Sequence, residues 1–151
     1  MRVVDRIVVR AGVEATLNVA AAVERWPEFL AHYRWVRTLE RRPGCRVVEM
    51  AAWRPFGPVR YPVWWVSEME VDESKGTITY RHVRGITRGM AVEWRIRATD
   101  GGSDVSIVHD WSGPNWPLIG GIAANAVIGP VFIHGIASRT LAGVKARAEA
   151  A

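Results

Sequence analysis

A single cysteine, Cys45, in a chain of 151 residues excludes an internal disulfide and any multi-cysteine metal site. Lysine is almost missing: Lys75 and Lys145 are the only two, so the basic balance, a formal +5, rests on arginine. Those arginines are scattered along the chain and form no cluster, which argues for a solvated surface and against a nucleic-acid partner. No secretory signal precedes the first alternating segment, so the expected location is the cytoplasm. No phosphate loop, hydrolase elbow or metal-ligand spacing occurs, and no pair of carboxylates falls on one inward face. His32, His82, His109 and His134 lack both the spacing and the carboxylate partners of a metal centre, so neither metal nor cofactor is expected. Charge is also missing from Pro117 to Ala137, a run whose only polar side chains are Asn125 and His134. A helix this apolar must be buried all round or meet lipid. Its four glycines, two prolines and mostly small side chains favour burial over a membrane span.

What is present is a globular composition, 49% hydrophobic and 23% charged, with eight tryptophans, a high count for this length. The length fits one domain over residues 1–151. Val3 to Ala11 alternates as a half-buried strand, and Gly12 ends it. Val13 to Val23 reads as a helix, and Pro27 fits the first turn of a second, short one. Strands follow at His32–Arg41, Arg46–Arg54, Val59–Val71, Thr77–Val83, Met90–Ala98 and Asp104–Trp111. Turn residues separate them, with Asp100–Gly101–Gly102 the strongest hairpin signal. The class is therefore α+β: an antiparallel meander, a first strand at an edge, and a long terminal helix from about Pro117.

Strand alternation sorts the side chains. Glu49 belongs in water, so Val48, Met50, Ala52 and Arg54 face in. By the same logic Trp65, Ser67 and Met69 face in, followed by Tyr80 and His82, then Met90, Val92 and Trp94, then Ile107, His109 and Trp111. Trp35–Arg37–Leu39 and Arg34–Val36–Thr38 are nearly balanced, so the inward face of the 32–41 strand is open. Such a face carries the aromatic and methionine surface of an apolar pocket with few polar groups. Ile122, Asn125 and Phe132 of the helix are expected at the same cavity, with Asn125 able to anchor a carbonyl or hydroxyl. His109 is the candidate acid/base group, because imidazole titrates near neutrality. Tyr80 and Arg54 are candidates to stabilise an enolate oxygen.

The segment Val23–Glu24–Arg25–Trp26–Pro27–Glu28–Phe29, the Trp pair followed by Val66–Ser67, the stretch Met90–Ala91–Val92–Glu93–Trp94 and the tail IASRTLAGVKARAE resemble the SRPBCC superfamily, also called START-like or helix-grip. Within it the chain is most similar to the polyketide cyclase/dehydrase and coenzyme-Q-binding group. The resemblance implies a curved antiparallel sheet of about seven strands wrapped around a long C-terminal helix, with two short helices after the first strand and an apolar internal cavity. It implies a hydrophobic small-molecule partner (a lipid, quinone or polyketide-like aromatic) held by a monomer or homodimer. One alternative is a cyclase, aromatase or dehydratase acting on a poly-ketone; another, a peripheral lipid-transfer protein in transient contact with membranes, rests on the basic surface and on Trp53 or Trp64 as exposed residues. The aromatase/cyclases of this family use an interior arginine at the position that matches Met69, so here Arg54 or His109 would have to take its place, or the protein is a binder.

Overall fold

The computed structural model describes the backbone of residues 1–56, 58–112 and 130–150, and the side chains of the same residues except 54–56, 59, 61 and 130–132. The strands are β1 (Arg2–Val9), β2 (Tyr33–Arg42), β3 (Cys45–Phe56), β4 (Val59–Asp72), β5 (Thr77–Gly85), β6 (Ala91–Thr99) and β7 (Gly102–Asp110). Between β1 and β2 lie α1 (Val13–Ala21), a 3-10 turn at Val23–Arg25 and the short α2 (Trp26–Phe29), with Pro27 in its first turn. The described terminal helix is α3 (Pro130–Ala150). The part of the expected helix before Pro130 lies outside the described residues.

All seven strands form one curved antiparallel sheet in the order β1-β7-β6-β5-β4-β3-β2. The six later strands run as a meander because each turn is short. β1 is an edge strand, as its separation by helices requires, and it pairs with β7 from Arg2↔Asp110 to Val9↔Ser103. This is the helix-grip fold expected from the sequence.

The terminal helix closes the inner face. Ile133, Ala137, Leu141, Val144 and Ala148 are all buried, and their spacing of three or four residues makes one stripe. The stripe packs in one cluster with Val48, Ile78, Trp94, Ile96 and Val105 of the sheet. Polar contacts tie the helix to β1 and its end: Lys145 Nζ donates to the Val8 carbonyl at 2.7 Å, and the Arg10 amide donates to Glu149 at 2.9 Å. His134 is exposed and bonds the buried Asp5 of β1, so it holds the helix to the sheet edge and does not line the cavity.

Two irregularities shape the site. The β2–β3 register shifts between Tyr33 and Trp35: Tyr33 pairs with Ala52, but Trp35 pairs with Ala51. The extra residue reverses the inward set, so Tyr33 and then Val36 are buried. The β4–β5 register shifts between Val66 and Ser67, which brings Gly85 opposite Trp65. Gly85 has φ +98°, and a Cβ there would run into the Trp64 carbonyl oxygen and lie 2.7 Å from the Trp65 Cα. Both atoms are backbone and cannot yield. Gly85→Ala is therefore expected to destabilise the protein by roughly 2–3 kcal/mol. A urea midpoint unchanged from the parent would show that the strand pair does not approach this closely.

Candidate functional site

The sheet's inner face and α3 line a partly open cavity of about 70 Å³. By volume it has room for a handful of water-sized spheres. Its floor comes from alternate strand positions: Met50 on β3, Trp65 on β4, Tyr80 and His82 on β5, Val92 and Trp94 on β6, Ile107 and His109 on β7. Thr87 and Met90 close one end from the β5–β6 loop. Ile133, Ile136, Ala137 and Thr140 of α3 form the roof. Trp26 and Tyr33, at the start of α2 and β2, complete the wall.

The aromatic side chains form a continuous course. Trp94 packs on Trp26 with centroids 5.9 Å apart, Trp26 meets Tyr33 edge-on at 5.1 Å, and Tyr33 meets Trp65 at 6.2 Å. Trp65 then stacks on His82 at 5.7 Å with the rings almost parallel. Such contacts add to area burial and hold each ring in one orientation. His82 is fixed further by Thr87, whose Oγ1 lies 2.5 Å from its Nδ1. The loop is pinned from both sides. The His82 amide donates to the Met90 carbonyl and the Gly89 amide to the His82 carbonyl, both at 2.9 Å. The Trp111 indole donates to the Arg88 carbonyl at 3.1 Å.

Three polar atoms of residues on this wall are buried and have no partner among the described residues: Trp26 Nε1, Tyr80 Oη and His109 Nδ1. The β5–β6–β7 register places Tyr80, Val92 and His109 on one rung, so Tyr80 and His109 face the cavity from either side of Val92. Among the described residues, which do not include the Arg54 side chain, none that lines the cavity is a carboxylate, ammonium or guanidinium. Burial lowers the His109 pKa to about 4. Burial, reinforced by His109, lowers that of His82 to about 3. Burial raises the Tyr80 hydroxyl far above the ordinary phenol range. The described lining therefore carries no net charge at neutral pH. Among the described residues, no three His, Cys, Asp or Glu side chains gather into a metal site.

Of the residues expected at the site, Met50, Trp65, Tyr80, His82, Met90, Val92, Trp94 and His109 line this cavity. Ser67, Met69 and Trp111 do not, although all three are buried on or beside the inner face. Met69 lies past the cavity's end, where Arg46 Nη2 sits 3.5 Å from its sulfur and 2.9 Å from the Ala21 carbonyl, so α1 fills the space. Ser67 lies in register between Val48 and His82, and Trp111 is turned to the β5–β6 loop. Ile122, Asn125 and the side chains of Arg54 and Phe132 lie outside the described residues.

Trp26, Tyr33, Thr87 and Thr140 line the cavity without having been expected there. The first two precede the bulge in β2, where no strand alternation reaches. Thr87 sits in a loop that the turn signal marks without orienting. Thr140 is legible only as part of the helix stripe: it is the position between Ala137 and Leu141 that also meets His32, whose Nε2 lies 3.0 Å from Thr140 Oγ1.

A family model described as polyketide cyclase / dehydrase and lipid transport matches residues 9–130. No protein of curated function matches the sequence. Among solved structures, the fold is similar to that of TTHA0849 from Thermus thermophilus, with TM-score 0.84 and 17% identity over 99% of this chain and 98% of that one. It is also similar to the Zhui aromatase/cyclase from Streptomyces sp. R1128, with TM-score 0.81 and 21% identity over 99% of this chain and 93% of that one. A START superfamily protein from Mycobacterium smegmatis gives TM-score 0.70 and 14% identity over 99% of this chain and 94% of that one. At these identities the likeness establishes the fold.

Proposed function

The chain belongs to the polyketide cyclase/dehydrase and lipid transport family, and on that premise we propose that it is a single-domain binder of an uncharged, mainly apolar molecule bearing a carbonyl or hydroxyl oxygen. Quinones, neutral lipids and polyketide-like aromatics fit this class. The observation that carries the reading is the set of three buried, unpartnered polar atoms on an apolar wall. Leaving such an atom unpaired costs about 1–3 kcal/mol. Trp26 Nε1 can only donate, and Tyr80 Oη and His109 Nδ1 can each donate or accept. A ligand oxygen that reaches one of them removes that cost there.

The lining also sets the ligand's charge. Among the described lining residues an ionised carboxylate would face neutral imidazoles and no cation, and its lost hydration would go uncompensated there. Fatty-acid anions are therefore disfavoured against neutral molecules of the same size.

A second reading, cyclisation or dehydration of a poly-ketone, is supported by Tyr80 and His109 sharing one rung of the wall. His109 is a free base at neutral pH, but with a pKa near 4 it is a weak one. Its hydrogen-bonding capacity is better matched to orienting a ketone than to removing its α-proton, so binding is the primary reading.

Calorimetric titration with 2-acetylnaphthalene and 2-naphthoate, which share a ring and differ in charge, tests this. The ketone is expected to bind with a dissociation constant on the order of micromolar. The anion should bind at least about tenfold more weakly. Tyr80→Phe should weaken the ketone by roughly three- to tenfold while stabilising the ligand-free protein by about 1 kcal/mol. Equal affinity for the anion, or a ketone affinity untouched by Tyr80→Phe, would sink the proposal.

A further inference from the structure

The described helices lie on the inner side of the sheet, and the outer side over β2–β5 carries an array of its own. Alternation turns Trp35 of β2, Ala51 and Trp53 of β3, and Trp64 and Val66 of β4 outward. The register sets Ala51 between Trp35 and Trp64, and Trp53 against Pro62. Ala51 and Val66 are 0% and 1% exposed although no described helix covers them, so the neighbouring outward side chains bury them.

Those neighbours are arginines laid on tryptophans. The Arg34 guanidinium lies 4.7 Å from the Trp35 ring centre and 4.6 Å from that of Trp53. Arg37 lies 5.2 Å from Trp35, Arg60 4.9 Å from Trp53, and Arg84 5.8 Å from Trp64. One carboxylate enters the array: Glu49 accepts from Trp35 Nε1 at 3.0 Å and stands 3.8 Å from Arg37. Among the described residues, no carboxylate comes within ion-pair distance of Arg34, Arg60 or Arg84. Four guanidiniums against one carboxylate leave this patch positive, while Glu68, paired with Arg81, and Glu70 lie further along β4 on the same side.

We propose that this outer face is a docking surface for anionic lipid bilayers. The chemistry is that of the membrane–water boundary. Indole rings settle at headgroup depth, and arginine pairs with phosphate and is drawn to negative surface potential. Cation–π contact holds each guanidinium beside its indole, so both meet the interface together. A single-stranded nucleic acid is less well matched, because base stacking needs free ring faces. Here Trp35 and Trp53 each carry two guanidiniums. A bilayer docked there lies one sheet thickness from the cavity. The inference does not depend on what the cavity holds.

Co-sedimentation of the whole protein with vesicles of three-to-one phosphatidylcholine–phosphatidylserine tests it, beside pure phosphatidylcholine and an oligothymidylate single strand. Binding to the anionic vesicles is expected at about 0.05 M salt and should fall sharply at about 0.5 M, where charge interactions are screened. The exposed double substitution Arg34→Gln, Arg84→Gln should weaken it roughly thirtyfold, with the urea midpoint confirming that the variant is folded. Trp64→Ala should weaken it independently of salt. The proposal is overturned by absence of sedimentation with anionic vesicles, by equal binding to pure phosphatidylcholine, by an unaffected arginine double variant, or by tighter binding to the oligothymidylate at the same salt.

Discussion

Acidification from pH 6.5 to about 4.5 is expected to remove stability at roughly 3 kcal/mol per pH unit, allowing for the partial solvent contact of His109. Three histidines are responsible. Burial lowers His109 and His32 to about 4 and His82 to about 3, with Arg139 adding to the effect at His32 and His109 at His82. In the unfolded chain each titrates near 6.5. Between the two values the unfolded state binds protons that the native state refuses, so stability is full above pH 6.5 and falls as the pH drops. The loss levels off only below the folded values. A domain has about 5–15 kcal/mol in total, so a loss of about 6 kcal/mol by pH 4.5 is a large share of it. Urea titrations at pH 7, 6 and 5 measure the slope. His82→Gln and His109→Gln should each flatten it. A stability constant from pH 7 to pH 5 would show that these imidazoles are not buried as neutral groups.

Removal of the Trp26 indole should be the costliest single truncation at the site. Trp26 is 2% exposed and stands between Tyr33 and Trp94 in the aromatic course. Trp26→Ala is expected to cost about 3–5 kcal/mol, and at about 2–4 °C per kcal/mol for a domain of this size the melting temperature should fall by roughly 10–15 °C. Trp26→Phe separates two contributions. It keeps most of the packing and deletes the unpartnered N–H, so the stability loss should be much smaller while ketone binding still weakens. A loss under about 1.5 kcal/mol in Trp26→Ala would mean that Tyr33 and Trp94 close the gap without it.

The sequence made the architecture legible because its periodic segments are long and its turns chemically plain. Seven strands, two helices after the first and the described part of the terminal helix, Pro130–Ala150, could all be read from alternation, Pro27, the Asp100–Gly101–Gly102 hairpin and the helical tail. The inward faces of β3 to β7 followed from single charged positions such as Glu49. The face of β2 did not, and the structure shows why: a bulge between Tyr33 and Trp35 makes both parities right on different sides of one residue. Orientation toward the inner face was also not enough to place a residue at the cavity. Met69 satisfies the alternation, yet α1 and Arg46 occupy the space it would have faced. Which part of an inner face stays hollow is decided by elements distant in the chain, and no local pattern records it.

The pairing of β1 with β7 joins residues about a hundred positions apart, Arg2 with Asp110 and Val9 with Ser103. The meander can zip from neighbour to neighbour as the chain emerges, but β1 has no strand to join until nearly three quarters of the molecule has been made. Until then its hydrogen-bonding groups and alternating valines stand open, and the closing step carries the entropy of a very long loop. Its partner on the inner side, α3, emerges later still. On this topology β1 and α3 are expected to join the native assembly last, and the cavity gains its roof only with α3.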